Sequence, residues 1–185
     1  IFSHCRAGGY LAMSESTDGV TPQAVRDAAA GIRRIIDNVR SIISIDEQKL
    51  EHLLAAKLAG GHVILADSHG VGKTSLAKAL AASIHWRTAE VSCQGIEIEH
   101  FSRIQCTVDL LPQDILGFNR YEASSGSFIF TRGPLFAHFV LCDEINLLTP
   151  KTQGSFLQAM EEQAVTVEGT TYELPDPFFI IATMN

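Results

Sequence analysis

The sequence predicts an α/β fold, in which a parallel β-sheet carries helices on both faces and β-hairpins are inserted between the main elements. Three short apolar runs have the composition of buried parallel strands: VILA at residues 63–66, FVLC at 139–142 and FFIIA at 178–182. Helical patterns separate these runs. Strands that alternate with helices form a parallel sheet through right-handed crossovers. Ligands bind to such a sheet at the carboxyl ends of its strands, so we expect the functional residues there.

Length and composition limit the function classes. The chain has 185 residues, of which 46% are hydrophobic and 19% charged, so it can bury a core. A net charge of −7 argues against non-specific nucleic-acid binding. The apolar runs are too short to span a bilayer, and the N-terminus has no signal-peptide core. Four scattered cysteines without a C-x-x-C pair predict reduced thiols and a cytoplasmic protein.

Three regions are expected along the chain. Residues 1–20 are interpreted as a disordered or non-native lead, since the chain starts at Ile1 and Met13 resembles a natural start. Residues 21–60 carry N-terminal helices. Residues 61–185 form an α/β nucleotide-binding core, which we expect to be incomplete because the chain stops directly after the strand pattern FFIIATM.

The N-terminal region predicts two amphipathic helices. The first helix begins at Thr21-Pro22 and extends to about Arg40. Its apolar face is expected to contain Val25, Ala28, Ile32, Ile35, Ile36 and Val39. Asp46 is a plausible N-cap for the second helix, which ends before Gly60-Gly61. Its apolar residues are Leu50, Leu53, Leu54 and Leu58. The linker between the helices, residues 42–45, either has a purely structural role or covers an adenine ring.

Other elements follow from turn and breaker residues. In chain order we expect short strands at 89–93 and 103–106, a helical turn at 113–116, a hairpin at 121–131, a short helix from Gly133-Pro134, a helix from Thr149-Pro150, and a second hairpin at 165–174. The helix from Thr149-Pro150 is expected to bury Phe156, Leu157 and Met160.

Residues 62–80, HVILADSHGVGKTSLAKAL, combine a strand, a glycine turn, Lys-Thr and a helix. This order is typical of the phosphate-binding loop of nucleoside triphosphatases, although Asp67 stands at the first glycine of G-x-x-x-x-G-K-[ST]. Gly72 lets the backbone approach phosphate closely, and Lys73 places a charge on the β and γ phosphates. The predicted nucleotide-binding residues are Asp67, Ser68, His69, Gly70, Val71, Gly72, Lys73, Thr74 and Ser75.

A second signature, Asp143-Glu144, follows the buried run at 139–142. We expect Asp143 and the Thr74 hydroxyl to hold Mg²⁺. Glu144 is the first candidate for the catalytic base that activates water. Asn185, after the last strand, could donate to the γ-phosphate or hold the attacking water. The predicted catalytic residues are therefore Glu144, Asn185 and Lys73, with ATP and Mg²⁺ as ligands.

Beyond these motifs, long segments resemble one family. GGHVILADSHGVGKTSLAKAL, RIQCTVDLLPQDILGF, GSFIFTRGPLFAHFVLCDEIN and PKTQGSFLQAMEEQAVTVEGTTYELPDPFFIIATMN occur in order over residues 60–185 and are similar to the MoxR family of AAA+ ATPases. By position, Gly70, Gly72, Lys73 and Thr74 match Walker A, Asp143 and Glu144 match Walker B, and Asn185 matches sensor 1. Residues 121–131 correspond to the insert in helix 2, and 165–174 to the hairpin before sensor 1.

The resemblance implies a P-loop NTPase (AAA+) fold with an α/β/α three-layer core, whose fifth strand and lid domain would lie beyond residue 185. It implies a Mg²⁺-dependent ATP hydrolase that works as a ring, usually a hexamer, with a chaperone-like remodelling or assembly role on a protein client. It also implies a von Willebrand factor A-domain partner. The net charge and the short apolar runs add the expectation of no specific nucleic acid and no membrane span. Without the arginine finger, this segment alone is expected to be weakly active or inactive.

The sequence departs from the family pattern at several positions, and other functions stand beside hydrolysis as alternatives. His69 stands where the family usually has proline, Leu147 replaces a usual arginine, and residues 86–99 look like an insertion. One alternative is an ATP- or GTP-binding assembly switch with little or no turnover. A GTPase or small-molecule kinase is less favoured, because Asp143-Glu144-Ile145-Asn146 lacks the Asp-x-x-Gly of GTPases and no Asn-Lys-x-Asp sequence occurs.

Overall fold

The computed structural model describes residues 21–66, 72–84, 92–93 and 96–184. The helices are α1 (Pro22–Ile42), α2 (Glu47–Leu58), α3 (Lys73–Ala82), α4 (Pro112–Leu116) and α5 (Pro150–Glu162). The strands are β1 (Val63–Ala66), β2 (Ser92–Cys93), β3 (Ile96–Glu97), β4 (Glu99–Gln105), β5 (Gly117–Glu122), β6 (Ser127–Arg132), β7 (Ala137–Asp143), β8 (Ala164–Val167), β9 (Thr170–Glu173) and β10 (Phe179–Met184).

The two predicted N-terminal helices are confirmed, with their caps. The Thr21 hydroxyl accepts from the Ala24 amide at 3.1 Å at the start of α1. The Asp46 carboxylate accepts from the amides of Gln48 and Lys49 at the start of α2. The expected apolar faces are too long, however: Val25 and Leu58 are exposed. α1 is exposed through residue 30 and first becomes buried at Ile36, so its core contact is confined to its C-terminal half.

A parallel four-stranded sheet with the order β1-β10-β7-β4 forms the centre of the protein. Val63 pairs with Ile181, Phe179 with Phe139, and Gln105 with Asp143. β10, the last strand in the sequence, therefore lies between the first strand and β7. The α/β fold class with a parallel sheet is confirmed.

The sheet separates two apolar cores, because alternate residues of a strand point to opposite faces. Phe139 and Leu141 of β7 pack in the cluster that contains α1, α2 and α3. Val140 and Cys142 of the same strand pack in the other cluster, with Phe156 of α5. Strand β10 alternates in the same way. The result is three layers, with helices on both faces of the sheet.

Two antiparallel hairpins project from this core and contact each other. β5 and β6 form the first, which is longer than the predicted 121–131, and β8 and β9 form the second. The ring of Phe130 stacks on Tyr172 with centroids 4.0 Å apart. The Asn119 amide donates to Glu168 at 2.8 Å. The two hairpins therefore contact each other through one aromatic and one polar contact.

The short helix predicted from Gly133-Pro134 is wrong. The segment is a turn that leads directly into β7, in which Phe136 N–H donates to the Gly133 carbonyl at 3.2 Å. Its amides bond across to α4 instead of along a helix: Leu135 N–H donates to the Ile115 carbonyl. A Cβ at Gly133 would lie 2.2 Å from that Ile115 oxygen, so the close approach requires glycine.

Helix α5 allows a matched test of core packing, because two adjacent residues differ in burial. Phe156 is 1% exposed, whereas Leu157, which the sequence pattern placed on the buried face, is 55% exposed. We expect Phe156→Ala to lower the free energy of unfolding by about 3–5 kcal/mol, since it removes a ring from a packed core. Leu157→Ala should change it by no more than about 0.5 kcal/mol. Urea denaturation measures both, and equal losses would contradict the assignment.

Candidate nucleotide-binding site

The residues predicted to bind nucleotide and metal or to act in catalysis lie at, or shortly after, the carboxyl ends of three strands. β1 ends at Ala66, β7 at Asp143 and β10 at Met184, and Ala66 pairs with Met184. α3 begins at Lys73, seven positions after the end of β1. Because parallel strands end at the same edge of a sheet, β1 and β7 deliver their following residues to one edge.

Part of the predicted phosphate loop is described. Gly72 has φ +84°, in the left-handed region that favours glycine, and caps α3 without a side-chain hydrogen bond. Lys73 and Thr74 are half-buried in the first turn of α3, and Ser75 is exposed. The other predicted loop residues lie outside the described residues: Asp67, Ser68, His69, Gly70 and Val71. Asn185 also lies outside them.

Asp143 is held between its two neighbouring strands. From β4, the Nε of Arg103 donates to Oδ2 of Asp143 at 2.7 Å. From β10, the Thr183 hydroxyl donates to Oδ1 at 3.3 Å. The side chain of Asp143 is only 11% exposed. A largely buried carboxylate is thereby provided with one charged and one neutral donor.

Glu144 ends the strand with an unusual backbone conformation. Its φ of 59° and ψ of 50° are left-handed, which is uncommon for a residue other than glycine and recurs at functional sites. The backbone then enters a 3₁₀ turn, Ile145–Leu147. The Glu144 N–H donates to the Thr183 hydroxyl at 3.1 Å. Thr183 therefore bonds to both acidic residues of the Asp143-Glu144 pair.

Sequence reasoning missed Arg103 and Thr183. Thr183 is a buried polar residue near the end of an otherwise apolar strand, and this interruption was the available signal. Arg103 gave no comparable signal, because its contact depends on the register between β4 and β7, which the sequence does not reveal. Their roles follow from the strand order.

A groove of about 420 Å³ adjoins the start of α3, and we call it the linker groove. Its lining includes Ile43, Ser44 and Ile45 from the α1–α2 linker, Ile64 from β1, and Gly72 and Lys73. The groove thus connects the linker predicted to cover a base with the predicted phosphate loop. Its mixture of aliphatic and polar surface is suitable for a planar ring that carries a charged tail.

Two buried thiols lie beside the acidic pair without sharing its chemistry. Burial, and then the charges of Asp143 and Glu144, raise the pKa of the Cys106 thiol to about 11. Burial also raises the pKa of Cys142, whose thiol is free like that of Cys106. Both stay protonated near neutral pH, which makes them poor nucleophiles and metal ligands.

Comparisons with known proteins agree with this geometry. Residues 62–185 match the ATPase family associated with various cellular activities (AAA). Chaperone MoxR1 of Mycobacterium tuberculosis is 33% identical over 186 residues, which cover 97% of this chain and 46% of that protein. YeaC of Bacillus subtilis is 49% identical over 132 residues, 71% of this chain and 37% of that protein.

A solved structure is similar as well. The crystal structure of a Cytophaga hutchinsonii protein described as an ATPase has a TM-score of 0.64 and 32% identity, and the likeness covers 87% of this chain and 47% of that one. The chain therefore belongs to the AAA ATPases and, within them, to the MoxR family. It spans less than half the length of each of these three proteins. Within the ranges that the structure describes, no helix has both the length and the apolar character needed to cross a membrane.

The Thr183 contacts allow a test of how the acidic pair is held. Thr183→Val keeps the shape but removes the hydroxyl, so the Glu144 N–H loses its acceptor and Asp143 loses a donor. We expect a loss of about 1–3 kcal/mol in the free energy of unfolding, measured in urea. Thr183→Ser keeps the hydroxyl and should lose about 1 kcal/mol or less, for one buried methyl group. A valine variant as stable as the wild type would contradict the bridging role.

Proposed function

We propose that the protein binds ATP with Mg²⁺ and hydrolyses it, as a MoxR-type ATPase. The observation that carries this proposal is the strand order. Lys73 and Thr74 follow β1. Asp143 ends β7 and Glu144 follows it, and β10 lies between the two strands. If a triphosphate binds at the start of α3, the strand that carries the acidic pair is separated from β1 by the single strand β10.

Phosphate binding would begin at α3. The first amides of a helix point outwards and favour an anion, and Gly72 presents them without a side-chain cap. Lys73, the first helical residue, would add a positive charge on the β and γ phosphates. The same features attract any polyphosphate, so the nucleotide base must be selected elsewhere.

The donors on this edge suit Mg²⁺. Thr74 offers a hydroxyl and Asp143 a carboxylate, and hard oxygen donors in small number are what Mg²⁺ uses when phosphates complete its coordination. Thr74 and Asp143 would hold the ion, which when bound neutralises charge on the phosphates. The Thr183 hydroxyl donates to Oδ1 of Asp143, and this contact would orient the carboxylate towards the ion.

Glu144 would accept the proton of the attacking water. Its backbone is left-handed where the strand ends, and its N–H donates to the Thr183 hydroxyl. The backbone from which the carboxylate extends is therefore held in place. A base needs hydrogen-bond reach to the water and an accessible lone pair, and Glu144 is only half-buried. Asn185, the next residue after β10, remains the predicted partner of the γ-phosphate.

The adenine ring is proposed to occupy the linker groove. Ile43 and Ile45 are partly buried against the core, and both provide aliphatic surface to the groove. Ile64 of β1 also lines the groove and is exposed. Covering this surface with a base would remove apolar area from water.

Assembly and partners are further parts of the proposal. The name of the relative Chaperone MoxR1 supports a chaperone-like role, and membership of the AAA ATPases supports self-association in a ring, with a hexamer as the expected size. A protein client and a von Willebrand factor A-domain partner remain predictions from the family resemblance. The exposed aromatic rings of Tyr121 and Phe128, at the end of the β5–β6 hairpin, are available for protein contacts.

The acid–base role is tested with Glu144→Gln in the complete gene product. We expect ATP turnover to fall by about 10²- to 10⁴-fold while nucleotide still binds, since glutamine keeps the shape but accepts no proton. Glu161→Gln, the same change on an exposed turn of α5, is the matched control and should keep turnover. Phosphate release and binding of a fluorescent ATP analogue measure the two properties.

The outcomes separate hydrolysis from its alternative. If the wild type binds nucleotide without turning it over, the protein is an assembly switch. If wild type and Glu144→Gln turn over ATP equally, Glu144 is not the base.

The base position is tested with a pair of isoleucines. Ile64 lines the linker groove and is 63% exposed, whereas Ile42 is 65% exposed and does not line it. Ile64→Ala should weaken ATP binding by about threefold to tenfold, because part of a three-carbon contact with the base is lost. Ile42→Ala should leave the dissociation constant unchanged. Equal affinities for both variants would exclude the groove as the base site; competition by GTP, measured alongside, tests base selectivity.

A further inference from the structure

The ion pair between Arg103 and Asp143 joins a basic residue of no assigned function to the predicted magnesium ligand. We propose that Arg103 is the counter-ion of Asp143 in the metal-free protein, and that Mg²⁺ and Arg103 compete for this carboxylate. The inference rests on the proposed function, since it assumes that Asp143 contributes to a Mg²⁺–nucleotide site. It makes Arg103 a residue that sets the magnesium requirement.

The geometry brings Arg103 to Asp143 from the side. In the β4–β7 ladder, Arg103 pairs with Leu141 and Gln105 pairs with Asp143, so Arg103 is a diagonal neighbour of the carboxylate. Its long side chain covers the two-residue offset, and Nε reaches Oδ2 at 2.7 Å. A terminal guanidinium nitrogen also donates to Oε1 of Gln105 at 3.3 Å.

The two partners differ in their freedom to move. The side chain of Arg103 is 49% exposed, whereas that of Asp143 is 11% exposed and also receives the Thr183 hydroxyl. If the pair separates, Arg103 can extend into water, and Gln105 offers it a second, exposed acceptor. Asp143 stays in place. Release of the pair would therefore free an oxygen of the carboxylate without rebuilding the site.

Charge explains why the pair exists and why metal would break it. A carboxylate with little access to water is strongly destabilising without a cation nearby, and Glu144, next in the chain, adds a second negative charge. Arg103 supplies that cation before any metal arrives. A divalent ion on Asp143 would repel the guanidinium and would attract the carboxylate more strongly than a single charge. Metal and guanidinium are thus alternatives for the same oxygen.

The consequence concerns the order of binding. With Arg103 in place the acidic edge is partly neutralised, so free Mg²⁺ gains less there than it would at a bare carboxylate pair. An ion that arrives with a triphosphate has phosphate oxygens as further ligands and can displace Arg103. The pair would therefore make metal binding depend on nucleotide, and it would raise the Mg²⁺ concentration needed for tight nucleotide binding.

The test compares Arg103→Gln with Arg103→Lys in the complete gene product. Binding of a fluorescent ATP analogue is followed while Mg²⁺ is varied at low ionic strength. We expect Arg103→Gln to lower the half-saturating Mg²⁺ concentration by about threefold to tenfold. The difference should shrink in high salt because the Arg103 side chain is half exposed. Arg103→Lys keeps the charge without the planar fork and should lie between wild type and Arg103→Gln. Binding in EDTA should differ by no more than about twofold.

Two results would overturn the proposal. An unchanged half-saturating concentration means that Arg103 and Mg²⁺ do not compete, and a higher one means that Arg103 orients the carboxylate for the metal.

A second measurement separates this failure from failure of the proposed function. In EDTA, a double-mutant cycle with Arg103→Gln and Asp143→Asn should show coupling of about threefold to tenfold in the unfolding equilibrium constant. If the wild type binds no nucleotide at any Mg²⁺ concentration, the nucleotide site is wrong, yet the cycle still decides whether Arg103 is the counter-ion. Absence of coupling would sink the counter-ion claim on its own.

Discussion

The buried carboxylate of Asp143 is the constraint on which the candidate site depends. It lies at the end of the central strand β7 and has little access to water, so donors from the two flanking strands stabilise it. Arg103 of β4 and Thr183 of β10 do so from opposite sides. The order β10-β7-β4 is thus a requirement of the site as much as a property of the fold.

The rigidity of this arrangement comes from the two cores. Successive residues of β7 and β10 are buried on opposite faces. A shift of either strand by one residue would therefore move every side chain into the opposite core, where the packing does not match its shape. Because Asp143 is the last residue of β7, its position is fixed by the register of that strand. Glu144 departs from it through a left-handed conformation, which costs free energy and persists because the strand before it and the Thr183 hydroxyl over-determine the backbone.

The sequence predicted local features well and relations between strands poorly. Thr21 and Asp46 correctly marked where their helices begin, because the side chain of a capping residue bonds to amides only two or three residues away. The short helix after Gly133 was wrong because long-range bonds from this segment to α4 outweigh local propensity. Leu157 had the right spacing, but nothing covers it in the described structure. Arg103 could not be found without the β4–β7 register, and the loop residues 67–71 and Asn185 stay predictions.

The strand order also explains why β10 matters to the relation between the Lys73-Thr74 motif and the Asp143-Glu144 motif. Neighbouring strands are about 4.8 Å apart, so one intervening strand sets β1 and β7 about 10 Å apart. Lys73 and Thr74 follow the first, Asp143 and Glu144 end the second, and β10 keeps the two strands apart. A terminal phosphate, a small cation with bonds of about 2 Å and a water molecule fit such a distance. The intervening strand is therefore part of the proposed site for two reasons: it sets the separation between the two motifs, and its Thr183 hydroxyl donates to Asp143.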